Sequence, residues 1–566
     1  MKHPNPTFRL RIVRILFSTC VLSFAGAHSA LAGSATWDLN PTSNDWNTAV
    51  NWTPDTVPNG PADTATFAVS NTPAVSLATN AEVNSIVFNP GASPFVISVF
   101  GQGTVTSTLT ISGAGVVNNS GIMQQLVAGL GGASGGLGQI TFSGNATIGS
   151  LITIANQGGA PNETGVTLTT FTDNASAGAA TIVNGGAING SHGEPGQTKF
   201  MGNATAATST FICQSGSGGG HFGAFGGSVR FENSSTAASA TFQLEGGTVT
   251  DATGGYAAFY DTSSAGNSVF TVGGSDVGGS SSLHFYDSSS AGNATLIVNG
   301  GLDFYGSSTG GTARVELFGN GSLTTLFGIA PAIGSIEGDG IVSLGESSPL
   351  TIGTNNLSTT FSGLIQNHYV SVAGSLAKTG IGTLTLSGAN TYTGDTTVNQ
   401  GTLVINNQSG SGTGTGSVQV TGGTLGGSGT ITGAVTVGTG SGTGSFLAPA
   451  AGITVQTRLT IEDALILNSD ATYTYTFKAN SKHARTDLVI ANGVTINGAT
   501  LTINATTQGR MKRGLVLNVI SNTSANPISG TFANLADRAI VNVNGNNLQA
   551  SYSGGDGNDL TLTVVP

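Results

Sequence analysis

The chain has 566 residues, a formal net charge of −11 and 88 glycines, and only 8% of its residues are charged. Soluble proteins typically contain about 25% charged residues, and an acidic chain lacks the basic patches that nucleic acids and anionic membranes require. We therefore expect no nucleic acid as a partner. Hydrophobic residues make up 38% of the chain, enough apolar surface for a continuous core, so we expect a folded, elongated protein.

Residues 1–32 have the pattern of a cleavable secretory signal peptide. Basic residues precede an apolar stretch from Ile15 to Ala27, and Ala30-Leu31-Ala32 supplies small residues for cleavage. A transmembrane anchor is the alternative, but the apolar stretch is shorter than the roughly 20 residues that a span requires. We predict a secreted or cell-surface protein with no integral membrane segment after cleavage. Only Cys213 then remains, which excludes an internal disulfide.

Residues 33–70 form a segment rich in tryptophan and proline, which we interpret as an N-terminal cap. It contains all three tryptophans of the chain, Trp37, Trp46 and Trp52. Repeat proteins must cover the apolar ends of their stacks, and bulky rings suit that role. Clustered tryptophans also form platforms for sugars, so the same three residues are the candidate ligand-binding residues.

Residues 71–330 contain repeats that each begin with phenylalanine. Compare "FYDTSSAGNSVFTVGG" from Phe259 with "FYDSSSAGNATLIVNGG" from Phe285. Each repeat is typical of a strand, a polar turn, a second strand and a Gly-Gly corner. We predict that the phenylalanines stack inside a solenoid; a solvent-facing aromatic ladder for sugars is the alternative. The phenylalanines recur at similar intervals, except for a shorter last step: Phe142, Phe171, Phe200, Phe231, Phe259, Phe285 and Phe304.

Residues 331–450 contain a second repeat, in which Gly-Thr-Leu begins at Gly382, Gly401 and Gly423. Apolar and threonine residues alternate, which predicts strands with Leu384 and Leu386 on one face. The intervals between successive copies are too long for tight hairpins. They indicate one coil of a solenoid per repeat, with strands stacked in parallel.

Residues 451–566 continue the alternating pattern, and we predict final coils and a cap. The densest polar cluster, "KANSKHARTD", contains Lys478, Lys482, His483, Arg485 and Asp487. It is a candidate site for an anion or a sugar acid, or a solvated loop. "GGDGNDLTL" from Gly554 matches the start of a calcium-binding nonapeptide repeat, but one copy cannot complete that site. A glycine-rich turn before the last strand explains it without calcium.

The stretch "LAKTGIGTLTLSGANTYTGDTTVNQGTLVINN", from Leu376 to Asn407, resembles the autotransporter-associated β-strand repeat. The resemblance implies an all-β protein that folds as a right-handed parallel β-helix, or β-solenoid, of the passenger kind. Because this repeat marks a scaffold, it assigns no catalytic residues. Autotransporters also carry a C-terminal translocator barrel of at least eight strands. The residues after Asp463 lack that pattern, so we expect the barrel to be lacking.

Many parallel β-helices cleave polysaccharides, which requires paired carboxylates, or a base beside calcium and arginine, on adjacent coils. Asp261 and Asp287 occupy equivalent repeat positions, and we interpret them as turn-capping residues. None of the other histidines of the mature chain has zinc-ligand spacing; they are His192, His221, His284 and His368. The scattered acids of the repeats include Glu163, Asp173, Glu194, Glu232, Glu245, Asp251, Asp276 and Asp303.

We therefore predict an exported structural or adhesive surface protein without catalytic activity, cofactor or metal. Extracellular polysaccharide or cell-surface components are its expected partners. A polysaccharide-binding protein is the first alternative and a β-helical carbohydrate-active enzyme the second. The sequence does not define an oligomeric state.

Overall fold

The computed structural model describes residues 33–131, 136–159, 165–188, 193–217, 224–328, 331–345, 349–451 and 457–566. The predicted signal peptide, His192, His221 and Glu163 lie outside these residues. In the described residues the regular structure consists of β-strands and one 3₁₀ helix, Ala49–Asn51.

The chain winds through successive coils whose strands pair in parallel with the equivalent strands of the coils before and after. In Thr383–Leu386 the two leucines are buried and the two threonines face outward. Leu384 pairs with Leu403, which pairs with Leu425 in the next coil. The predicted period-two pattern and one-coil repeat are thus confirmed, and the fold is a parallel β-helix.

The first sheet has 16 strands and forms one face of the coils up to residue 367. Its strands are Ala35–Trp37, Trp52–Thr53, Gly60–Phe67, Ala81–Phe88, Ser107–Asn118, Gly138–Phe142, Thr147–Ile148, Leu168–Phe171, Gln197–Phe200, Ser228–Phe231, Tyr256–Phe259, Ser282–Phe285, Gly301–Gly306, Ser322–Gly328, Ile341–Leu344 and Leu364–Asn367.

The second sheet continues through both repeat regions, and its pairing is parallel except for one short hairpin strand, Ala484–Thr486. Its other strands are Ala74–Leu77, Val96–Val99, Gln124–Ala128, Ile152–Asn156, Thr181–Asn184, Thr210–Cys213, Thr241–Leu244, Val269–Val272, Thr295–Val298, Arg314–Leu317, Ser335–Gly338, Thr359–Phe361, Thr383–Leu386, Thr402–Ile405, Gly423–Gly427, Ser445–Leu447, Ala471–Ala479 and Thr500–Thr507.

The third and fourth sheets belong to the C-terminal part of the solenoid. The third has nine strands: Ala332–Ile333, Leu350–Ile352, Leu376–Lys378, Thr396–Val398, Val418–Val420, Val435–Val437, Leu465–Leu467, Val494–Asn497 and Ser529–Thr531. The fourth has seven strands: Thr430–Ile431, Arg458–Ile461, Leu488–Ala491, Val516–Asn522, Ile540–Val543, Asn546–Gly554 and Asp559–Val565.

Asn390 connects the first sheet to the fourth across a gap in regular pairing. Its side-chain oxygen accepts the N–H of Ile365 at 2.8 Å, and its side-chain nitrogen donates to the carbonyl of Gly412 at 2.7 Å. Gly412 in turn donates its N–H to Thr430, where the fourth sheet begins. The buried amide therefore supplies hydrogen bonds that strand residues supply elsewhere on this face.

The seven repeat phenylalanines form one stack inside the solenoid, so the predicted interior stack is confirmed. Adjacent rings lie 4.6 to 5.1 Å apart at interplanar angles of 4 to 11°. A second stack of Phe211, Phe242 and Phe270, from the second sheet, meets the first edge to face. Face-to-edge and offset contacts of this kind add about 0.5 to 1.5 kcal/mol per pair to the burial of the rings.

In the phenylalanine repeats the third face is reduced to a column of single bridges at serine and threonine. Ser264, for example, bridges Thr236 and Ser290, and its hydroxyl accepts the N–H of Gly266. The same turn recurs in neighbouring coils and explains the polar segment between the two strands. At the Gly-Gly corner, a Cβ on Gly246 would lie 1.9 Å from the carbonyl oxygen of Gly274, so glycine is required there.

The chain ends in an antiparallel arrangement within the fourth sheet. Strand Asn546–Gly554 pairs with both Ile540–Val543 and Asp559–Val565. The "GGDGND" stretch forms the turn between the last two strands, as the glycine-turn interpretation predicts. Asp559 accepts the backbone N–H of Asn522 at 2.8 Å.

Candidate functional site

The three tryptophans lie inside the N-terminal cap. Trp37, Trp46 and Trp52 are at most 1% exposed, and Trp52 contacts both of the others edge to face at 5.0 and 4.9 Å. Each indole N–H donates to a backbone carbonyl, of Thr72, Pro58 and Trp46 respectively. The geometry favours the cap role and leaves no exposed ring face for a sugar.

Asp261 and Asp287 hold turns of adjacent coils together. Both have the left-handed backbone conformation, with φ of 54° and 53°. Asp287 accepts the N–H of Asp261 at 3.0 Å, and Asp261 accepts the N–H of Asn233 at 2.7 Å. The capping role is therefore confirmed, with one correction: each carboxylate caps the preceding coil rather than its own turn, because in-register stacking brings that N–H within reach.

The "KANSKHARTD" cluster forms a hairpin in which Lys478 pairs with Arg485. The lysines, His483 and Arg485 are exposed, whereas Asp487 is buried and accepts the N–H of Thr457. Exposure of the basic side chains fits the solvated-loop interpretation.

Lys378, in the second repeat region, is buried and bound by backbone carbonyls. Its Nζ donates to Thr379, Gly380 and Gln400 at 2.5, 2.9 and 3.2 Å. Burial lowers the pKa of this amine to about 8. Because its three N–H groups have acceptors, we interpret Lys378 as a structural residue that joins two coils.

One cluster of chemically active side chains projects outward from the first sheet. Tyr260, Tyr286 and Tyr305 directly follow the buried Phe259, Phe285 and Phe304 in successive coils. Their rings stack at 4.8 and 4.7 Å, with interplanar angles of 5 and 8°. With Arg230, Tyr256, His284 and Asp303 they form what we call the tyrosine surface.

A chain of hydrogen bonds connects this surface across two coils. His284 Nε2 lies 2.9 Å from a carboxylate oxygen of Asp303, and its Nδ1 lies 2.9 Å from the Tyr286 hydroxyl. His284 and Asp303 are register partners on neighbouring strands. In the neutral tautomer that carries its proton on Nε2, His284 donates a hydrogen bond to Asp303 and accepts one from the Tyr286 hydroxyl at Nδ1. The carboxylate stabilises this tautomer.

The phenols of Tyr256, Tyr286 and Tyr305 remain neutral at physiological pH, because each has a raised pKa. Burial raises the pKa of Tyr256, and hydrogen bonds to Tyr260 and Tyr286 raise it further. Burial also raises the pKa of Tyr286, and burial together with Asp303 raises the pKa of Tyr305 to about 12. Neutral phenols both donate and accept hydrogen bonds, as recognition of hydroxyl-rich ligands requires.

A groove of about 490 Å³ adjoins the tyrosine surface. Arg230 and Tyr256 line it together with Ser228 and the ring of Phe225, which is 51% exposed. The Arg230 Nε is buried without a hydrogen-bond partner in the described structure. The neighbouring Lys199, in contrast, pairs with Glu232 at 2.9 Å. The groove thus combines an exposed aromatic ring with a guanidinium that retains an unused donor.

Among the residues that the structure describes, the other histidine and cysteine side chains lie apart from this surface. His368 packs its ring on Tyr369 at 4.2 Å, and Cys213 is buried, which raises its pKa to about 12. In the described ranges no group of three or more His, Cys, Asp or Glu side chains could hold a metal ion. Nor does that part of the chain contain a helix long and apolar enough to cross a membrane.

Sequence reasoning missed the tyrosine surface, although one signal for it was present. The dipeptide Phe-Tyr occurs at residues 259–260, 285–286 and 304–305. Once each phenylalanine is placed inside, the period of two places each tyrosine outside. The contact of His284 with Asp303 required the exact register between coils of unequal length, which the sequence does not fix.

Comparison with known proteins identifies a repeat within the chain. Residues 376–405 match the family model of the Passenger-associated-transport-repeat, which confirms the resemblance of that stretch. No curated protein sequence matches the chain. Four solved chains match; one is the crystal structure of the Haemophilus influenzae Hap adhesin, with 11% identity and a TM-score of 0.29. The match covers 89% of this chain and 63% of that one, so the chain spans less than two thirds of its length.

Proposed function

We propose that this chain, which carries a passenger-associated transport repeat, is an exported protein whose β-helix presents an adhesive surface outside the cell. Residues 1–32 would direct export and residues 33–70 would cap the first coil. The protein acts as a scaffold without catalysis, secreted or held at the cell surface. Its partners are polysaccharide or other cell-surface components.

The tyrosine surface is the observation that supports an adhesive role. Four phenol groups lie on, or directly after, strands that pair with a neighbour on each side. They belong to Tyr256, Tyr260, Tyr286 and Tyr305, and the rings of Tyr256, Tyr286 and Tyr305 contact that of His284. Strands fixed on both sides hold the side chains of successive coils at a constant spacing of about 4.8 Å. A ligand that contacts several coils therefore meets preorganised groups, which lowers the entropy cost of binding.

An adhesion assay tests this proposal. The labelled full chain is applied to cells and to isolated cell-surface polysaccharide, and the retained fraction is compared with that of a Tyr260→Ser/Tyr286→Ser variant. Tyr369→Ser is the matched control, because Tyr369 is 47% exposed and lies outside the tyrosine surface. We expect retention by the unaltered chain and by the control, and loss of retention in the double variant. Equal retention of all three proteins would contradict the proposal.

A second candidate function is polysaccharide cleavage, favoured by the hydrogen-bonded Asp303, His284 and Tyr286. A positioned imidazole beside a phenol is suited to general acid and base catalysis. Chromatography of polysaccharides incubated with the full chain tests it. Products that disappear with His284→Gln would establish this activity and overturn the non-catalytic proposal.

A further inference from the structure

The groove beside the tyrosine surface has a composition that selects one kind of ligand. Its volume of about 490 Å³ lies within the range of about 300 to 1,000 Å³ that small-ligand sites occupy. The exposed Phe225 ring offers an apolar face, while Ser228, Tyr256 and Gln197 offer hydroxyl and amide groups. An apolar face beside neutral donors and acceptors suits a sugar ring, which has C–H groups on its faces and hydroxyl groups at its edges.

Arg230 gives the groove a positive charge, which favours a negatively charged ligand. It projects outward from strand Ser228–Phe231, and its register partner in the next coil is Ala258, followed by His284. The alanine leaves room for the guanidinium, which no acidic side chain pairs with in a salt bridge among the described residues. A guanidinium binds a carboxylate through two parallel N–H donors, and its buried Nε has no partner within the described part of the protein.

Other classes of ligand fit this groove less well. A peptide cannot add to strand Ser228–Phe231 as a further strand, because Gln197–Phe200 and Tyr256–Phe259 already pair with its two edges. The net charge of −11 opposes the long-range attraction on which nucleic-acid binding depends. The groove is lined by one guanidinium and no basic patch, which matches a saccharide that brings a single carboxylate into it.

We infer that this groove binds a carboxylated polysaccharide, with a uronate carboxylate on Arg230, a sugar ring against Phe225 and the neighbouring unit on the phenols of the tyrosine surface. This inference rests on the proposed adhesive function and names its ligand class. Glu194 also lines the groove, and its negative charge disfavours a second anionic group there. The site therefore favours polymers in which charged and neutral units alternate.

Calorimetric titration of the full chain with defined polymers tests the inference. Hyaluronan, a carboxylated polymer with alternating charged and neutral units, is compared with dextran sulfate and with neutral dextran. We expect saturable binding of hyaluronan and a loss of about tenfold or more in affinity for Arg230→Gln. Arg230→Lys should restore only part of the affinity, because it keeps the charge but loses the planar pair of donors.

Two further variants keep the result interpretable. Arg538→Gln removes a charge from a site where the arginine is 87% exposed, and it should leave affinity unchanged. Phe225→Ala should weaken binding without altering the charge, so it tests the groove even where Arg230→Gln fails to fold. Equal affinity for dextran, preference for dextran sulfate, or an Arg538→Gln effect equal to that of Arg230→Gln would overturn the inference. If cells retain the chain through Tyr260 and Tyr286 but hyaluronan does not bind, the inferred ligand class is wrong, whereas the proposed adhesive function is supported.

Discussion

The phenylalanine repeats and the second repeat region build the same solenoid by different means. In the first, stacked rings fill the core and the third face consists of single serine or threonine bridges. In the second, leucine, isoleucine and valine fill the core, the third face is a continuous sheet, and Asn390 closes a gap in regular pairing. The outward residues of the second region are mostly threonine, whereas the first region carries the tyrosine surface. The shared backbone ladder thus leaves both the core and the outer surface free to differ.

The largest effect should come from removing a ring of the stack. Phe231→Ala leaves a cavity between Phe200 and Phe259, and such changes typically cost about 3 to 5 kcal/mol. We expect faster amide hydrogen exchange in the coils around residues 197–270 and little change beyond residue 376, because each coil contacts only its neighbours. Phe318→Ala, at a phenylalanine that is 43% exposed, is the control. Equal acceleration in both regions would show that the two behave as one cooperative unit.

The stability of the second repeat region should depend instead on the buried amine of Lys378. Lys378→Met leaves the carbonyls of Thr379, Gly380 and Gln400 without their donor, at a cost of about 2 to 3 kcal/mol. The loss should appear as faster exchange in the second region alone, measured against Lys482→Met on the exposed hairpin. Unchanged exchange in Lys378→Met would mean that water replaces the amine.

Lys378 also predicts how the stability of the second region depends on pH. The direction is opposite to that expected for a lysine whose pKa is raised by a salt bridge. The folded pKa of Lys378, about 8, lies below the ordinary value of 10.5, so between these values the unfolded chain binds more protons. Stability of the second region should therefore rise as the pH increases from 8 to 10.5. Guanidinium unfolding monitored by exchange at each pH should show this rise in the unaltered chain and not in Lys378→Met.

A smaller effect is expected at the connection between the first and fourth sheets. Asn390→Ala removes the acceptor of the Ile365 N–H and the donor to the Gly412 carbonyl, at a cost of about 1 to 3 kcal/mol. Exchange of the Ile365 amide and of its neighbours in strand Leu364–Asn367 should accelerate. Asn399→Ala, at an exposed asparagine of the same region, should not change them, and an equal effect of both variants would contradict the bridging role.

The smallest effect should come from the turn carboxylates of the first region. Asp261→Ala loses the bond to the N–H of Asn233 and places alanine at a φ of 54°, which together cost about 1 to 2 kcal/mol. Asp261→Gly also loses this hydrogen bond but avoids the strain of a positive φ, so it should destabilise the protein less than Asp261→Ala. Thermal unfolding of both variants measures the difference, and equal values would show that backbone strain contributes nothing.

The sequence predicted the features that follow from periodicity and left out those that depend on register. Phe231 and Leu384 could be placed in the core because an outward position for either would break the alternation of its strand. From the sequence the tryptophans are interpreted as a cap, but a sugar platform stays open as the alternative, since a buried cap and an exposed platform have the same composition. His284 and Asp303 belong to different repeats of the sequence, and only the pairing of their strands shows that they touch.

The spacing between successive phenylalanines is longest from Phe200 to Phe231 and shortest from Phe285 to Phe304, although their rings remain in register. The difference in length lies between the strands, whose pairing stays in register. A segment inserted or exchanged at a corner such as residues 274–280 would therefore leave the neighbouring layers aligned. The solenoid can in this way acquire or lose surface loops, and whatever those loops recognise, without any rearrangement of its interior.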